Sequence, residues 1–93
     1  MQPMYPNYNY TYVGPDALAP LQAYDDGKST YLKYRSPYQQ LPKIYSIDAA
    51  GKENPVTYNI RGDFVIIDAV AGKLAIKESS GTLYIYNEML NPK

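Results

Sequence analysis

Apolar and polar residues alternate along much of this chain with the period of two that is typical of a β-strand with one exposed face. The alternation is clearest in TYLKYR at residues 30–35 and in LYIYN at residues 83–87. In contrast, Phe64–Ile67 is apolar at every position, which predicts a central strand buried on both faces. Since no window combines helical periodicity with helix caps, the pattern predicts an all-β fold.

Turn residues separate the apolar runs at intervals of about 8 to 12 residues, a spacing typical of an antiparallel sandwich or barrel. We therefore predict an antiparallel β-sandwich of about eight short strands. The connections at Gly62-Asp63, Ala71-Gly72 and Ser80-Gly81 are very short, which predicts that the last four strands form a meander. The predicted strands are Asn7–Val13, Leu21–Tyr24, Thr30–Arg35, Lys43–Asp48, Val56–Ile60, Phe64–Val70, Leu74–Glu78 and Leu83–Asn87.

A chain of 93 residues has room for one domain with one modest core. Pro3 and Pro6 cannot donate to a strand ladder, so we expect residues 1–6 to form an extended leader. The predicted β-sandwich then occupies residues 7–88, and residues 89–93 form a C-terminal tail.

The charges and the residue types absent from the chain exclude several classes of function. Nine basic residues balance nine acidic ones, so no net positive field favours direct nucleic acid binding. Histidine and cysteine are absent, which removes the commonest catalytic bases, nucleophiles and transition-metal ligands. We therefore expect no enzymatic activity, no metal and no cofactor. No apolar run approaches the roughly 20 residues that span a bilayer.

Two short motifs each have a chemical and a structural interpretation. Asp25-Asp26-Gly27-Lys28 carries carboxylates, but calcium loops space their ligands at alternate positions, so a hairpin turn with Gly27 in the left-handed region is favoured. Arg61-Gly62-Asp63 spells an integrin-recognition tripeptide. A tight turn at Gly62-Asp63 accounts for it more simply.

The segment NYNYTYV, residues 7–13, has tyrosine at every second position. One interpretation is that these rings pack across the sandwich. The other is that the strand lies at a sheet edge, where its free backbone groups pair with another polypeptide and tyrosine supplies contact area. Both can hold together. The candidate partner-binding residues are Asn7, Tyr8, Asn9, Tyr10, Thr11, Tyr12 and Val13.

The order and spacing of four segments carry a resemblance over nearly the whole chain. They are NYNYTYVG, then APLQAYDDGKSTYLKY, then LPKIYSID, and then VTYNIRGDFVIIDAVAGKLAIKESSGTLYIYNE. Together they resemble the C-terminal domain of the TrbG/CagX/TraO family, a core component of type IV secretion systems.

This resemblance implies a β-sandwich in the outer-membrane-associated ring of a secretion channel, in the periplasm of a Gram-negative bacterium. The implied partners are a small lipoprotein, a channel-lining core-complex protein and further copies of the chain, which associates with the outer membrane through them. The lipoprotein segment would add a strand beside Asn7–Val13. Because the chain has no cysteine, that association would be noncovalent. The family also has a larger N-terminal domain, so we expect this chain to correspond to the lipoprotein-binding module alone. The alternative function is a carbohydrate-binding or adhesive β-sandwich module.

Overall fold

The computed structural model describes residues 6–34 and 43–90, and it shows two antiparallel sheets packed face to face. The predicted all-β sandwich is therefore confirmed. The first sheet has the strand order β1-β9-β8-β4-β5, and the second has the order β2-β3-β7-β6. The strands are β1 Tyr10–Val13, β2 Gln22–Asp25, β3 Thr30–Lys33, β4 Lys43–Ile47, β5 Glu53–Pro55, β6 Tyr58–Arg61, β7 Phe64–Ile67, β8 Lys73–Glu78 and β9 Gly81–Asn87.

The described part of the chain has nine strands, one more than the sequence predicted. The additional strand is β5, which follows the turn after β4 and pairs with it. The strand expected at Val56–Ile60 begins instead at Tyr58, after the chain has passed from the first sheet to the second. The 3₁₀ turn η1, at Asp16–Leu18, connects β1 to β2 and buries Leu18. The expected turn at Ser36-Pro37 lies outside the described residues.

The predicted meander of the last four strands was wrong. β6 pairs with β7 and β8 pairs with β9, but β7 and β8 belong to different sheets. Residues 68–72 carry the chain between the sheets, and Ala69 and Ala71 pack against the core on the way. The predicted strand Phe64–Val70 accordingly ends at Ile67, since the crossing begins there.

The apolar strand β7 is central in its sheet, between β3 and β6, as predicted. The prediction that both of its faces are buried was wrong. Val65 and Ile67 are buried in the core, whereas Phe64 and Ile66 are partly exposed on the outer face, the face turned away from the other sheet. Only one face of each sheet is covered in a two-layer sandwich, so an apolar residue on the other face remains in contact with water.

The core is formed by the inward-facing residues of both sheets, at the alternate positions that the sequence predicted. Leu32 and Ile67 of the second sheet and Ile76, Leu83 and Ile85 of the first are all 0% exposed. Burial of each such side chain contributes roughly 1.5 to 3 kcal/mol before the entropy of ordering is subtracted. These contacts hold the two sheets together.

The acidic turn between β2 and β3 uses its carboxylates to hold its own backbone. Asp26 Oδ1 accepts hydrogen bonds from the backbone N–H groups of Ser29 (2.8 Å) and Lys28 (2.9 Å). These bonds hold the pKa of the partly exposed Asp26 carboxyl below its usual value. Gly27 has φ of +90°, which confirms the predicted left-handed glycine. Gly62, with φ of +58°, forms the β6–β7 turn at the Arg61-Gly62-Asp63 motif.

Candidate functional site

The first strand lies at the edge of its sheet, as predicted, but it is shorter than the sequence suggested. β1 comprises Tyr10–Val13 and, within the described residues, pairs only with β9. Asn7 forms an isolated bridge with Asp25 of β2, in the other sheet. The chain therefore crosses from the edge of the second sheet to the edge of the first between these positions, and a continuous strand over Asn7–Val13 was wrong.

A buried polar cluster fixes this crossing. Asn7 Nδ2 donates to Asp25 Oδ2 and to Asn87 Oδ1, both at 2.9 Å, and the Tyr10 hydroxyl donates to Asp25 Oδ2 at 2.7 Å. Asp25 is 6% exposed and Asn87 is 1% exposed, so water cannot easily replace these partners. The sequence held one signal for this cluster, an asparagine at position 87 on the apolar side of a strand.

The three tyrosines of the stripe lie in three different environments, because the chain changes sheets among them. Tyr8 packs on the outer face of the second sheet, with its ring 5.1 Å from that of Tyr24, which in turn stacks on Tyr31 at 4.9 Å. Tyr10 points into the polar cluster. Tyr12 lies at the open edge and is 37% exposed. The stripe is therefore not one binding surface.

The surroundings of the Tyr10 hydroxyl predict how the stability of the fold changes at alkaline pH. Burial, together with the hydrogen bond to Asp25 and its charge, raises the pKa of the Tyr10 phenol well above 10. In the unfolded chain the Tyr10 phenol loses its proton near pH 10, whereas in the folded chain it keeps the proton to higher pH. The stability that Tyr10 provides is therefore complete below about pH 10 and is lost as the pH rises above it. We expect Tyr10→Phe to lose less stability than the parent between about pH 9 and pH 11. Urea unfolding at the two pH values measures this, and equal losses would contradict the assignment.

The hydrogen-bond register of β1 decides which backbone groups face the open edge. The Glu88 N–H donates to the Asn9 carbonyl at 2.8 Å. Backbone groups in an antiparallel strand alternate in direction, so Thr11 and Val13 also bond to β9, while Tyr10 and Tyr12 direct theirs away from it. The Tyr10 N–H donates to the Tyr8 carbonyl. The Tyr10 carbonyl and both backbone groups of Tyr12 therefore face the open edge.

The seven candidate residues thus divide into two groups. The backbone of Asn7 is bonded to Asp25, the carbonyl of Asn9 is bonded to Glu88, and Tyr8 packs on the second sheet. These three residues anchor the domain's own N-terminal segment. Residues 10–13 form the open edge, with Tyr12 and Val13 exposed beside it.

The β1 edge lacks the features that usually protect edge strands. Native edges commonly carry a charge or a proline, which hinder pairing with another chain. At the opposite edge of the same sheet, β5 has the sequence ENP, with both features. β1 has the sequence YTYV, with neither. Within β1, Tyr12 is 37% exposed and Val13 is 58% exposed. This edge is therefore suited to receive another strand.

Other kinds of site lack support in the described residues. Residues 6–34 and 43–90 contain no group of three or more histidine, cysteine, aspartate or glutamate side chains able to hold a metal ion. In the same ranges, no helix has the length and apolar character needed to cross a membrane.

Comparison with known proteins adds evidence of ancestry. The family model described as CagX, conjugal transfer protein, matches residues 2–88. The chain is 30% identical to Protein virB9 of Agrobacterium fabrum over 92% of its own length and 29% of that protein. It is 33% identical to the type IV secretion system protein PtlF of Bordetella pertussis over 81% of its length and 27% of that protein. A virB9 protein of Bartonella quintana is 29% identical over 94% of the chain and 30% of the relative.

The chain thus spans less than a third of the length of these relatives. The family match, in contrast, covers nearly all of the chain, including β1 and both sheets. By this match, the chain belongs to the CagX family of conjugal transfer proteins.

Proposed function

We propose that this chain is a structural scaffold of the outer-membrane core complex of a type IV secretion system, where β1 accepts a strand from a small lipoprotein. Family membership and the type IV secretion relatives support this proposal. The domain would act in the periplasm of a Gram-negative bacterium. Its further partners would be a channel-lining core-complex protein and copies of itself in a ring, and these partners would bring it to the outer membrane. It has no catalytic role.

The observation that carries the proposal is the open edge of β1, whose own residues carry no charge. A strand lying beside it could bond to the Tyr10 carbonyl and to the N–H and carbonyl of Tyr12, which point toward it. Each such bond contributes about 0.5 to 1.5 kcal/mol net, so three of them provide a modest affinity that side-chain contacts must increase. Backbone pairing of this kind is a common mode of peptide capture.

The side chains of β1 supply those contacts on both faces of the added strand. Residues of the added strand would alternate between the outer face, beside Val13, and the inner side, beside Tyr12. Both neighbours are large, apolar in most of their surface and exposed in the described structure. We therefore expect the bound lipoprotein segment to carry apolar residues on both faces.

The alternative, a carbohydrate-binding or adhesive module, has weaker support from the arrangement of the aromatic rings. Sugar-binding modules stack sugar rings on exposed aromatic faces. Here Tyr24 lies between Tyr8 and Tyr31, so its faces are covered by other rings. On the other sheet, the ammonium group of Lys73 lies over Tyr84 and Tyr86, 4.8 and 5.0 Å from the ring centroids.

Strand addition predicts that Tyr12→Pro weakens lipoprotein binding by at least about tenfold relative to Tyr12→Ala. Both variants lose the ring, but only proline removes the N–H that points to the open edge, and the bonds to β9 are made by Thr11 and Val13. The measurement is isothermal titration with a synthetic peptide that carries the proposed lipoprotein segment.

A proline at Thr11 is the matched control, because it removes a bond to β9 and destabilises the domain itself. We expect Tyr12→Pro to unfold at nearly the urea concentration of Tyr12→Ala, and Thr11→Pro at a clearly lower one. If folded Tyr12→Pro and Tyr12→Ala bound the peptide equally well, strand addition at β1 would be ruled out.

A further inference from the structure

The Glu88 carboxylate lies beside the open edge of β1, on the outer face of the first sheet. Tyr10 and Asn87 point inward to the polar cluster, so the residues that follow them, Thr11 and Glu88, point outward. The Thr11 hydroxyl donates to Glu88 Oε2 at 2.6 Å. The carboxylate therefore contacts a side chain of the edge strand itself.

The negative charge of Glu88 is not neutralised by the part of the chain that the structure describes. Thr11 bonds to one oxygen of the carboxylate, which leaves the second oxygen and the charge for a cation. Among residues 6–34 and 43–90, no lysine or arginine lies within salt-bridge range of Glu88. The side chain is partly exposed, so a partner at the edge has access to it.

Lys73, a cation on the same face, lies farther from an added strand than Glu88 does. Its ammonium group is over the rings of Tyr84 and Tyr86, both in β9. An added strand would lie two strand spacings from β9, about 9.6 Å, because β1 is between them. Salt screens charges at that distance much more than charges in contact. Glu88 therefore dominates the electrostatics at the edge beside Thr11.

An added strand would place one of its side chains directly opposite Thr11, on the same outer face. The Cβ atoms of such cross-strand pairs are about 4.5 to 5.5 Å apart. The flexible four-carbon stem of a lysine spans about this distance, and an arginine side chain is longer, so either reaches the Glu88 carboxylate. A glutamate at that position would instead bring two carboxylates together, which is unfavourable.

We propose that Glu88 selects the segment that β1 accepts, by pairing with a lysine or arginine that the added strand carries opposite Thr11. This inference rests on the strand addition proposed above and adds the charge of the partner to it. With the apolar residue expected beside Val13, the outer face of the added strand carries a basic and an apolar residue two positions apart. Backbone pairing supplies the capture, and Glu88 supplies a preference among segments.

The test uses two synthetic peptides of about seven residues that differ only at the centre, lysine in one and glutamate in the other. Both carry valine two positions before and after the centre, so a valine lies opposite Val13 in either direction of the added strand. NMR shifts of the Tyr12 amide locate the peptide, and isothermal titration gives its affinity. We expect about fivefold tighter binding of the lysine peptide, and a smaller difference at high salt.

Glu88→Gln removes the charge but keeps an oxygen that accepts the Thr11 hydrogen bond. We expect this variant to bind the two peptides equally, and Glu88→Lys to prefer the glutamate peptide. Glu78→Gln, the same change at the exposed end of β8, should retain the preference of the parent. A residue that only holds β1 in place would affect both peptides alike, so a reversed preference distinguishes selection from support.

Equal binding of the two peptides by the parent, or an unchanged preference in Glu88→Gln, would overturn this inference and leave strand addition intact. Strand addition has its own test in the same titrations, because Tyr12→Pro should weaken both peptides relative to Tyr12→Ala whatever their charge. Absence of binding by either peptide would count against strand addition, and this inference would fall with it.

Discussion

Replacement of Asp25 by alanine is expected to lower the free energy of unfolding by about 3 kcal/mol or more. The Asp25 carboxylate accepts hydrogen bonds from Asn7, from the Tyr10 hydroxyl and from the Gly27 backbone N–H. Its removal leaves several donors at a buried position without an acceptor, and each such group costs about 1 to 3 kcal/mol. Urea unfolding followed by circular dichroism measures the loss.

The matched control is Asp16→Ala in the exposed η1 turn. This change also removes one carboxylate, but at a position where no side-chain hydrogen bond or ion pair within the described residues is lost. We expect it to change stability by less than about 0.5 kcal/mol. Asp25→Asn retains the shape of the side chain, but one carboxylate oxygen becomes an NH₂ group, which cannot accept a hydrogen bond from Asn7 or Tyr10. It too should be destabilising. Similar stability of Asp25→Ala and Asp16→Ala would contradict the role assigned to the polar cluster.

Gly14→Ala is expected to cost about 3 kcal/mol as well, for a steric reason. Gly14 has φ of +138°, and a Cβ atom there would lie 2.6 Å from the Thr82 carbonyl oxygen and 2.9 Å from Leu83 Cα. Both neighbours are backbone atoms of β9, so they cannot move without disturbing the ladder that holds β1. The energetic cost of a positive φ and the cost of the steric overlap therefore add.

Gly51→Ala separates these two contributions. Gly51 also has a positive φ, +84°, but apart from its two chain neighbours no atom of the described residues lies within 4 Å of a Cβ atom built there. We expect it to cost only the conformational strain, about 1 to 2 kcal/mol. The difference between the two variants in urea unfolding gives the cost of the overlap at Gly14. Equal costs would mean that the approach of Gly14 to β9 is not tight in solution.

The candidate site was predictable in part from the sequence. An N-terminal strand with alternating tyrosines was expected at a sheet edge, and Tyr10–Val13 lie at one. The crossing at Asn7 was not predictable, because the residues that hold it, Asp25 and Asn87, are 18 and 80 positions away in the chain. No local pattern in NYNYTYV distinguishes a tyrosine that stacks on another sheet from one that enters a polar cluster.

The sequence by itself determined the fold class, the turns and the inward-facing residues of most strands. These properties depend on alternation and on turn chemistry, which act over a few residues: Leu83 and Ile85 face inward because a strand has a period of two. Only the tertiary structure decided which strands pair. A short connection such as Ala71-Gly72 permits either a hairpin or a crossing to the second sheet. The crossing was selected because it places Ile67 and Leu74 on opposite sides of one shared core.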